Sequence, residues 1–178
     1  MSKLKAGLIA SGIALAALAA PSAAAALGPH AADCAPGSAR PSILVRVVGL
    51  KTRTGMVRLQ SYGGDPGHYF DKGSYVERID ITPPARGPVE VCMLVPQAGA
   101  YAINVWQDVN GNGSKDFSDG LGFSGNPSVS LMDAVFKRRP SPAQVAVQVH
   151  GRTNVSVVMN YVQGGSVRPL ASAEAAGE

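Results

Sequence analysis

Acidic and amide side chains alternate with spacer residues in one short stretch, "DVNGNGSKDFSD" at residues 108–119. Calcium takes about six to eight oxygen ligands, and a chain can provide them by alternating ligand and spacer residues around a tight turn. Gly113 would allow the sharp bend, and the loop offers both carboxylate and amide oxygens. The pattern therefore predicts a calcium site whose ligands are Asp108, Asn110, Asn112, Ser114, Asp116 and Asp119.

The same stretch can also be interpreted as a turn that needs no ion. Asn-Gly steps are strong turn formers, because both residues tolerate positive φ. The loop is not an EF-hand, since Asp119 replaces the usual closing Glu and the preceding "INVWQ" has the pattern of a strand. Three carboxylates offset only by Lys115 would repel one another in an empty loop, which favours calcium. The ion-free turn stays open as the alternative.

The N-terminal residues 1–26 have the pattern of a secretory signal peptide. Lys3 and Lys5 precede an apolar run at residues 6–20, and a proline and several Ala-x-Ala steps follow it. The run is shorter than the roughly 20 apolar residues that a membrane span needs. We therefore expect a periplasmic or secreted protein with no membrane span after cleavage. In such an oxidising compartment, Cys34 and Cys92 are expected to form a disulfide.

The charge of the chain gives little indication of a partner. Its formal net charge is +4, with 16 basic and 12 acidic side chains, and the loss of Lys3 and Lys5 would leave about +2. Such a balance predicts no nucleic-acid partner. The cluster Lys137, Arg138 and Arg139 is interpreted as a solvated strand end. An envelope glycan or a protein stays open as the partner.

Apolar residues recur at every second position from residue 42 onward, which is the period of half-buried strands. The segments with this pattern are 43–49, 56–62, 75–81, 89–95, 101–107, 131–137, 145–150 and 154–161. They predict an all-β, antiparallel β-sandwich of seven or eight strands, of the immunoglobulin or transthyretin general type, over residues 42–163. Residues 27–41 are interpreted as an irregular lead-in and residues 164–178 as a disordered tail.

The alternation also predicts where the disulfide lies. In "VEVCMLV", residues 89–95, the valines and Met93 form the more apolar face, and Cys92 lies on the other. Cys92 is therefore expected to face away from the main core. The lead-in that carries Cys34 would then cross the outer surface of this strand.

Three stretches resemble the bacterial exported family catalogued as domain of unknown function 2141, over about residues 42–162. They are "VVGLKTRTGMVRLQSYG", "AGAYAINVWQDVNGNGSKDFSDGLGFSGNP" and "SLMDAVFKRRPSPAQVAVQVHGRTNVSVVMNY". The middle stretch is the most specific, with a segment of the "AVWHDENGNGKLD" kind and then a "GFSNN"-like segment at residues 122–126. The resemblance implies a small β-sandwich in or outside the bacterial envelope, with no established activity. This chain departs from the family pattern at Gly125 and in its two cysteines.

Other residues that could do chemistry fit catalysis poorly. Ser124 lies in "GFSGN", but a nucleophile elbow reads G-x-S-x-G, and no helix is predicted after it. Asp65, His68 and Asp71 could act as acid and base, yet "DPGHYFD" has the composition of an ordinary loop. The three histidines have no metal-ligand spacing. The sequence therefore predicts no catalytic residue and no enzyme.

Two functions remain on this basis. The first is a non-catalytic module of the cell envelope with a calcium-braced acidic loop. The alternative is a small-ligand or carbohydrate-binding accessory domain that uses Trp106 and the loop 108–130 as its mouth. A single strand tryptophan is more often a core residue than a stacking platform. An aromatic side chain exposed beside the acidic loop would favour the alternative.

Overall fold

The computed structural model describes residues 25–171. All but the last two residues of the predicted signal peptide, and the end of the predicted tail, lie outside this range. The strands are β1 Ser42–Val48, β2 Met56–Gly63, β3 Glu77–Ile81, β4 Val89–Leu94, β5 Gly99–Asp108, β6 Gly120–Phe123, β7 Val147–Val149, β8 Arg152–Val158, β9 Asn160–Gln163 and β10 Ser166–Pro169. The helices are α1 Leu131–Val135 and α2 Pro142–Val145, with 3-10 turns at Ala31–Cys34 and Pro66–His68. No helix in this range is long and apolar enough to cross a membrane.

The strands form two sheets, which confirms the predicted all-β sandwich. One sheet has the order β10-β9-β6-β5-β2-β3, and β7 pairs with β5 beside that path. The other has the order β4-β1-β8. Most pairs are antiparallel, but β1 and β8 run parallel, with Val45 opposite Val155. The strand count is ten rather than seven or eight, partly because the strand predicted at 154–161 divides into β8 and β9, which belong to different sheets.

The core lies between the sheets and is built by the period-two pattern. Val57 and Leu59 of β2 and Val105 of β5 are fully buried on one side. Ile43 and Val45 of β1 belong to the same buried cluster from the other sheet. Burying a side chain of this size stabilises the fold by about 1.5–3 kcal/mol. The two sheets held together by this core fix the positions of the loops that connect the strands.

The disulfide prediction is confirmed. Cys34 and Cys92 are bonded, with a Cα–Cα distance of 5.8 Å. Cys92 is buried on the face of β4 opposite the main cluster, as the alternation predicted. The lead-in is more regular than expected: Leu27 pairs in parallel with β4, and its N–H donates to the Glu90 carbonyl at 2.6 Å. This segment therefore extends the edge of the smaller sheet before the 3-10 turn brings Cys34 to Cys92.

The prediction of a strand at 131–137 is wrong, because Leu131–Val135 form helix α1. A capping box starts the helix: the Ser130 hydroxyl accepts from the Asp133 N–H at 3.1 Å, and the Asp133 carboxylate accepts from the Ser130 N–H at 3.0 Å. Such reciprocal bonds satisfy two N–H groups that the first helical turn leaves free. The apolar residues that suggested alternation, such as Met132 and Phe136, are exposed and contribute nothing to a sheet.

The first part of the predicted disordered tail is also ordered. Residues Ser166–Pro169 form β10, which pairs with β9 through a hairpin. Gly164 and Gly165 both have positive φ, 57° and 84°, as the two central residues of a tight hairpin turn require. The Gly-Gly step was therefore a turn signal and not the start of disorder.

Candidate functional site

The acidic loop, residues 108–119, connects β5 to β6. Strand β5 is central, with β2 on one side and both β6 and β7 on the other. Gln107 lies opposite Gly120, so the chain leaves the sheet at Asp108 and re-enters it twelve residues later. The two ends of the loop are consequently fixed by sheet pairing.

Asp108 organises the first half of the loop. Its side chain is 2% exposed, and one carboxylate oxygen accepts from the N–H groups of Gly111 at 2.8 Å and Asn112 at 3.2 Å. The other oxygen accepts from the Gly113 N–H at 2.8 Å. Gly111 and Gly113 both have positive φ, which lets the chain wrap around this carboxylate. The buried charge is thereby stabilised by three backbone donors.

Asp119 closes the second half. It is 8% exposed, and its Oδ1 accepts from the Val109 N–H at 3.1 Å. Its Oδ2 accepts from the indole N–H of Trp106 at 3.0 Å and from the Asp116 N–H at 3.2 Å. Asp119 therefore ties the end of the loop to β5 and to the middle of the loop.

Asp116 is the exposed carboxylate of the loop. Its Oδ1 accepts from the N–H and hydroxyl of Ser118, at 2.8 and 2.6 Å. Its Oδ2 accepts from the side-chain amides of Asn110 and Asn112, each at 2.9 Å. Hydrogen bonds from Ser118, and then from the two asparagines, hold the pKa of Asp116 well below its usual range. This carboxylate therefore stays ionised at the surface.

The two asparagines and Ser114 complete a chain of turns. The amide oxygen of Asn110 accepts from the Asn112 N–H at 3.0 Å, and that of Asn112 accepts from the Ser114 N–H at 2.7 Å. All six residues predicted as calcium ligands thus belong to one hydrogen-bonded loop. Within residues 25–171, however, no three His, Cys, Asp or Glu side chains form a group arranged to hold a metal ion. The repulsion expected between the carboxylates is offset by the N–H donors that surround each of them.

Trp106 is buried beneath Arg58 and Lys115 and is not the exposed platform that the carbohydrate-binding alternative requires. It is 3% exposed, and its indole N–H is bonded to Asp119. The Arg58 guanidinium lies 5.1 Å from its ring centre, and the Lys115 ammonium 5.6 Å. Burial, together with the charge of Arg58, lowers the pKa of Lys115. The exposed aromatic side chain of the loop is instead Phe117, which is 63% exposed, so Phe117 and not Trp106 meets the condition that favours the ligand-binding alternative.

A buried polar network beneath the loop escaped the sequence analysis. The side-chain oxygen of Gln107 accepts from the Tyr161 hydroxyl and from the Lys51 N–H, and its amide donates to the Thr52 carbonyl at 2.9 Å. Burial raises the pKa of Tyr161 to about 12. Gly120 lies against this ring, where an added Cβ would be 2.5 Å from a ring carbon. The signal in the sequence was Gln107, a polar residue in the otherwise apolar strand β5, which could have predicted a buried hydrogen-bond network.

The "GFSGN" segment joins the two sheets. Ser124 is fully buried, accepts from the Ile103 N–H at 2.9 Å and donates to the Val145 carbonyl, so it is not placed as a nucleophile. The side chain of Asn126 accepts from the N–H of Val158 at 2.8 Å and donates to the backbone of the same strand, β8. Gly125 has φ 72°, and a Cβ there would lie 2.0 Å from the Gln144 carbonyl oxygen. In this structure the position therefore has room only for glycine.

The structure does bring Asp65, His68 and Asp71 together, on an exposed loop. His68 Nδ1 lies 3.0 Å from Asp71, and its Nε2 lies 3.8 Å from Asp65. The hydrogen bond with Asp71 raises the pKa of His68. Asp71 also pairs with Arg139, which donates to the Tyr69 carbonyl at 3.3 Å. These contacts fasten the loop to the segment that follows α1.

The comparisons with known proteins identify a family but no activity. A family model described as "Uncharacterized protein conserved in bacteria (DUF2141)" matches residues 45–157. The match runs from β1 to β8 and includes both the acidic loop and the "GFSGN" segment. No curated protein and no solved structure matches the chain.

Proposed function

The chain belongs to the DUF2141 family of uncharacterized bacterial proteins, and we propose that it is an exported, non-catalytic β-sandwich module of the cell envelope. The proposal rests on one observation: the buried polar side chains between residues 107 and 124 are bonded to the surrounding backbone. Gln107, Asp108, Asp119 and Ser124 are all buried, and each bonds to backbone N–H or carbonyl groups of its surroundings. These residues therefore build a rigid loop and a joint between the sheets.

Two features support export. Residues 1–26 have the charge and apolar pattern of a signal peptide. The Cys34–Cys92 bond pins the lead-in to β4, and disulfides persist mainly in oxidising compartments. Export is tested by the intact mass of the protein released from the periplasm. Cleavage near residue 26 is expected, and a mass that retains residues 1–20 would contradict the proposal.

In this proposal the acidic loop is braced by its own hydrogen bonds. Asp108 and Asp119 together accept six N–H groups, five from the backbone and one from the indole. Hydrogen bonds to a buried charge contribute about 1.5–3 kcal/mol each, which is sufficient to hold a loop without an ion. The melting temperature should then be the same in calcium and in a chelator.

Calcium is the second candidate, and one observation favours it. Four side chains at loop positions 1, 3, 5 and 9 each accept a hydrogen bond from a backbone N–H two to five residues further on; they are Asp108, Asn110, Asn112 and Asp116. These bonds curl the chain as the backbone of a calcium-binding loop is curled. Two neutral asparagines and a closing aspartate imply weak binding, with a dissociation constant of about 0.1–1 mM. At 0.1 mM, 10 mM calcium would stabilise the fold by about 2.7 kcal/mol.

A thermal-shift comparison separates the two accounts. The wild type, Asp116→Asn and Asp133→Asn are melted in 10 mM calcium and in chelator. Asp116→Asn changes the exposed loop carboxylate, and Asp133→Asn is the matched control in the α1 cap. An unchanged melting temperature in all three supports the self-braced loop. A rise of several degrees in the wild type and Asp133→Asn, lost in Asp116→Asn, would replace that account with the calcium site.

A further inference from the structure

Helix α1 presents an apolar surface that no other part of the described chain covers. Met132 is 56% exposed, Val135 49% and Phe136 58%. Residues spaced by three and four lie on the same side of a helix, so these three side chains are neighbours. Adjacent exposed apolar side chains of this size are typical of an interaction site rather than of scattered surface residues.

The surrounding contacts hold this surface in place. The Ser130–Asp133 capping box fixes the start of α1. After the helix, the Arg138 N–H donates to the Asp133 carbonyl at 2.8 Å. Arg139 then bonds the Asp71 carboxylate and the Tyr69 carbonyl on the neighbouring loop. The helix is therefore fastened at both ends while its apolar side chains point outward.

Positive charge lies directly beside the apolar side chains. Among residues 25–171, no carboxylate lies within 4.0 Å of the Lys137 ammonium. The Arg138 guanidinium lies 5.4 Å from the Phe136 ring centre, with only a distant carboxylate oxygen, that of Asp133, at 3.8 Å. A hollow of about 230 Å³ adjoins the helix, and its lining includes Arg138, Arg139 and the Asp133 carboxylate. Arg139 is already paired with Asp71, so the positive charges available to the phosphate of a lipid headgroup are those of Lys137 and Arg138.

We propose that this tip, defined as Met132, Val135, Phe136, Lys137 and Arg138, docks on the surface of an anionic phospholipid bilayer. Apolar and aromatic side chains next to basic ones match a bilayer interface, where the former reach the acyl boundary and the latter meet anionic headgroups. The exposed side chains of a five-residue helix present far less surface than the roughly 800 Å² that each partner buries in a stable protein interface. A bilayer needs no such interface, and the charge of the tip is complementary to an anionic one.

The expected binding is weak and dependent on salt. Three apolar side chains bury less surface than a myristoyl chain, which itself binds with an association constant of about 10⁴ M⁻¹. Each basic residue near an anionic surface should increase partitioning about fivefold, and salt should screen that contribution. The tip would therefore add a reversible contact and not a permanent anchor.

A fluorescent probe in the tip tests the contact directly. Phe136→Trp is titrated with vesicles of phosphatidylcholine containing phosphatidylglycerol, and with pure phosphatidylcholine vesicles. Trp106 is 3% exposed and none of the changes replaces it, so its emission should provide a constant background. We expect a blue shift of the Phe136→Trp emission and quenching by brominated lipid, with anionic vesicles only. Phe117→Trp is the matched control, since Phe117 is an equally exposed aromatic residue on the acidic loop and should not respond.

Vesicle sedimentation then measures the two contributions separately. Phe136→Ser should reduce binding to the anionic vesicles at least about tenfold, because it removes the largest apolar group. Lys137→Glu reverses one charge and should reduce binding about 25-fold. Arg53→Glu, at the end of the sheet near the acidic loop, should have little effect. Equal binding of all variants, a probe response with zwitterionic vesicles alone, or no response would overturn the proposal. Capture by an immobilised polyglutamate peptide without any vesicle response would assign the tip to an acidic protein and overturn it equally.

Discussion

Replacing Asp108 by asparagine should destabilise the protein more than the same change at Asp116, the exposed carboxylate of the acidic loop. The carboxylate accepts from Gly111 and Asn112 on one oxygen and from Gly113 on the other, and its side chain is buried. Asparagine keeps one acceptor oxygen and presents an NH₂ group where the other oxygen stood. At least one backbone N–H then faces another donor and loses its partner.

The size of the effect follows from these contacts. A hydrogen bond to a charged group contributes about 1.5–3 kcal/mol, and a buried donor left unpaired costs about 1–3 kcal/mol. With one bond lost and the remainder no longer assisted by charge, the free energy of unfolding should fall by about 2–4 kcal/mol. For a domain of about 150 residues this corresponds to a fall in melting temperature of roughly 5–15 °C.

Urea unfolding followed by Trp106 fluorescence is the suitable assay. The indole is buried in β5 and its N–H is bonded to Asp119 at the base of the loop, so its emission reports both on the loop and on the sheet. Asp116→Asn is the matched control, because it removes the same charge from an exposed carboxylate of the same loop and should lower the midpoint only slightly. If Asp108→Asn and Asp116→Asn unfold at the same urea concentration, the three backbone bonds to Asp108 do not brace the loop and our reasoning is wrong.

Three further changes have defined outcomes. Replacing both Cys34 and Cys92 by serine should lower the free energy of unfolding by about 2–4 kcal/mol, since their bond closes a long loop; an unchanged urea midpoint would contradict this. Gly125→Ala should reduce folded yield, because its Cβ would meet a carbonyl oxygen at 2.0 Å, and a normal melting curve would show that the backbone can shift. Although partial burial opposes it, hydrogen bonds from Arg58 and Arg78 lower the Asp80 pKa to about 2. The ionised Asp80 carboxylate and its arginine partners therefore stabilise the fold above about pH 4, and this contribution is lost as the pH falls towards 2. Arg58→Gln should consequently lose more stability at pH 7 than at pH 2, where only the contact of Arg58 with the Trp106 ring is lost, as measured by urea unfolding across this range.

Sequence reasoning succeeded where one physical rule dominates. Alternating apolar residues predicted β1, β2 and β4, because a half-buried strand has no other way to bury one face. It failed at residues 131–137, where the apolar residues alternate loosely but a local capping box favours a helix. The sequence does not distinguish an apolar residue that remains exposed from one that is buried. The difference is decided by which surfaces the rest of the chain can cover.

The acidic loop shows a second limit of sequence reasoning. The residue types and their spacing predicted a loop closed by Asp108 and Asp119, and both residues do hold it. The spacing could not show whether the carboxylate oxygens face an ion or the backbone, because both arrangements need the same alternation of ligand and spacer. Counting the carboxylate charges alone left out the N–H donors that the curled backbone directs at them.

The acidic loop and the α1 tip lie at opposite ends of strand β5, which bears on how the module would meet a bilayer. The pairing of β2 with β5 places Met56 opposite Asp108 at one end and Gly63 opposite Tyr101 at the other. The intervening residues span roughly 25 Å, more than twice the screening length at physiological salt. Tyr69, which bonds both the Ala100 carbonyl and Arg139, places the α1 tip at the end away from the acidic loop. A bilayer that meets the tip would therefore lie at the far end of β5 from the acidic loop, so Phe117 should be directed into the aqueous space, and a probe at Phe117 that responds to vesicles as strongly as one at Phe136 would contradict this placement.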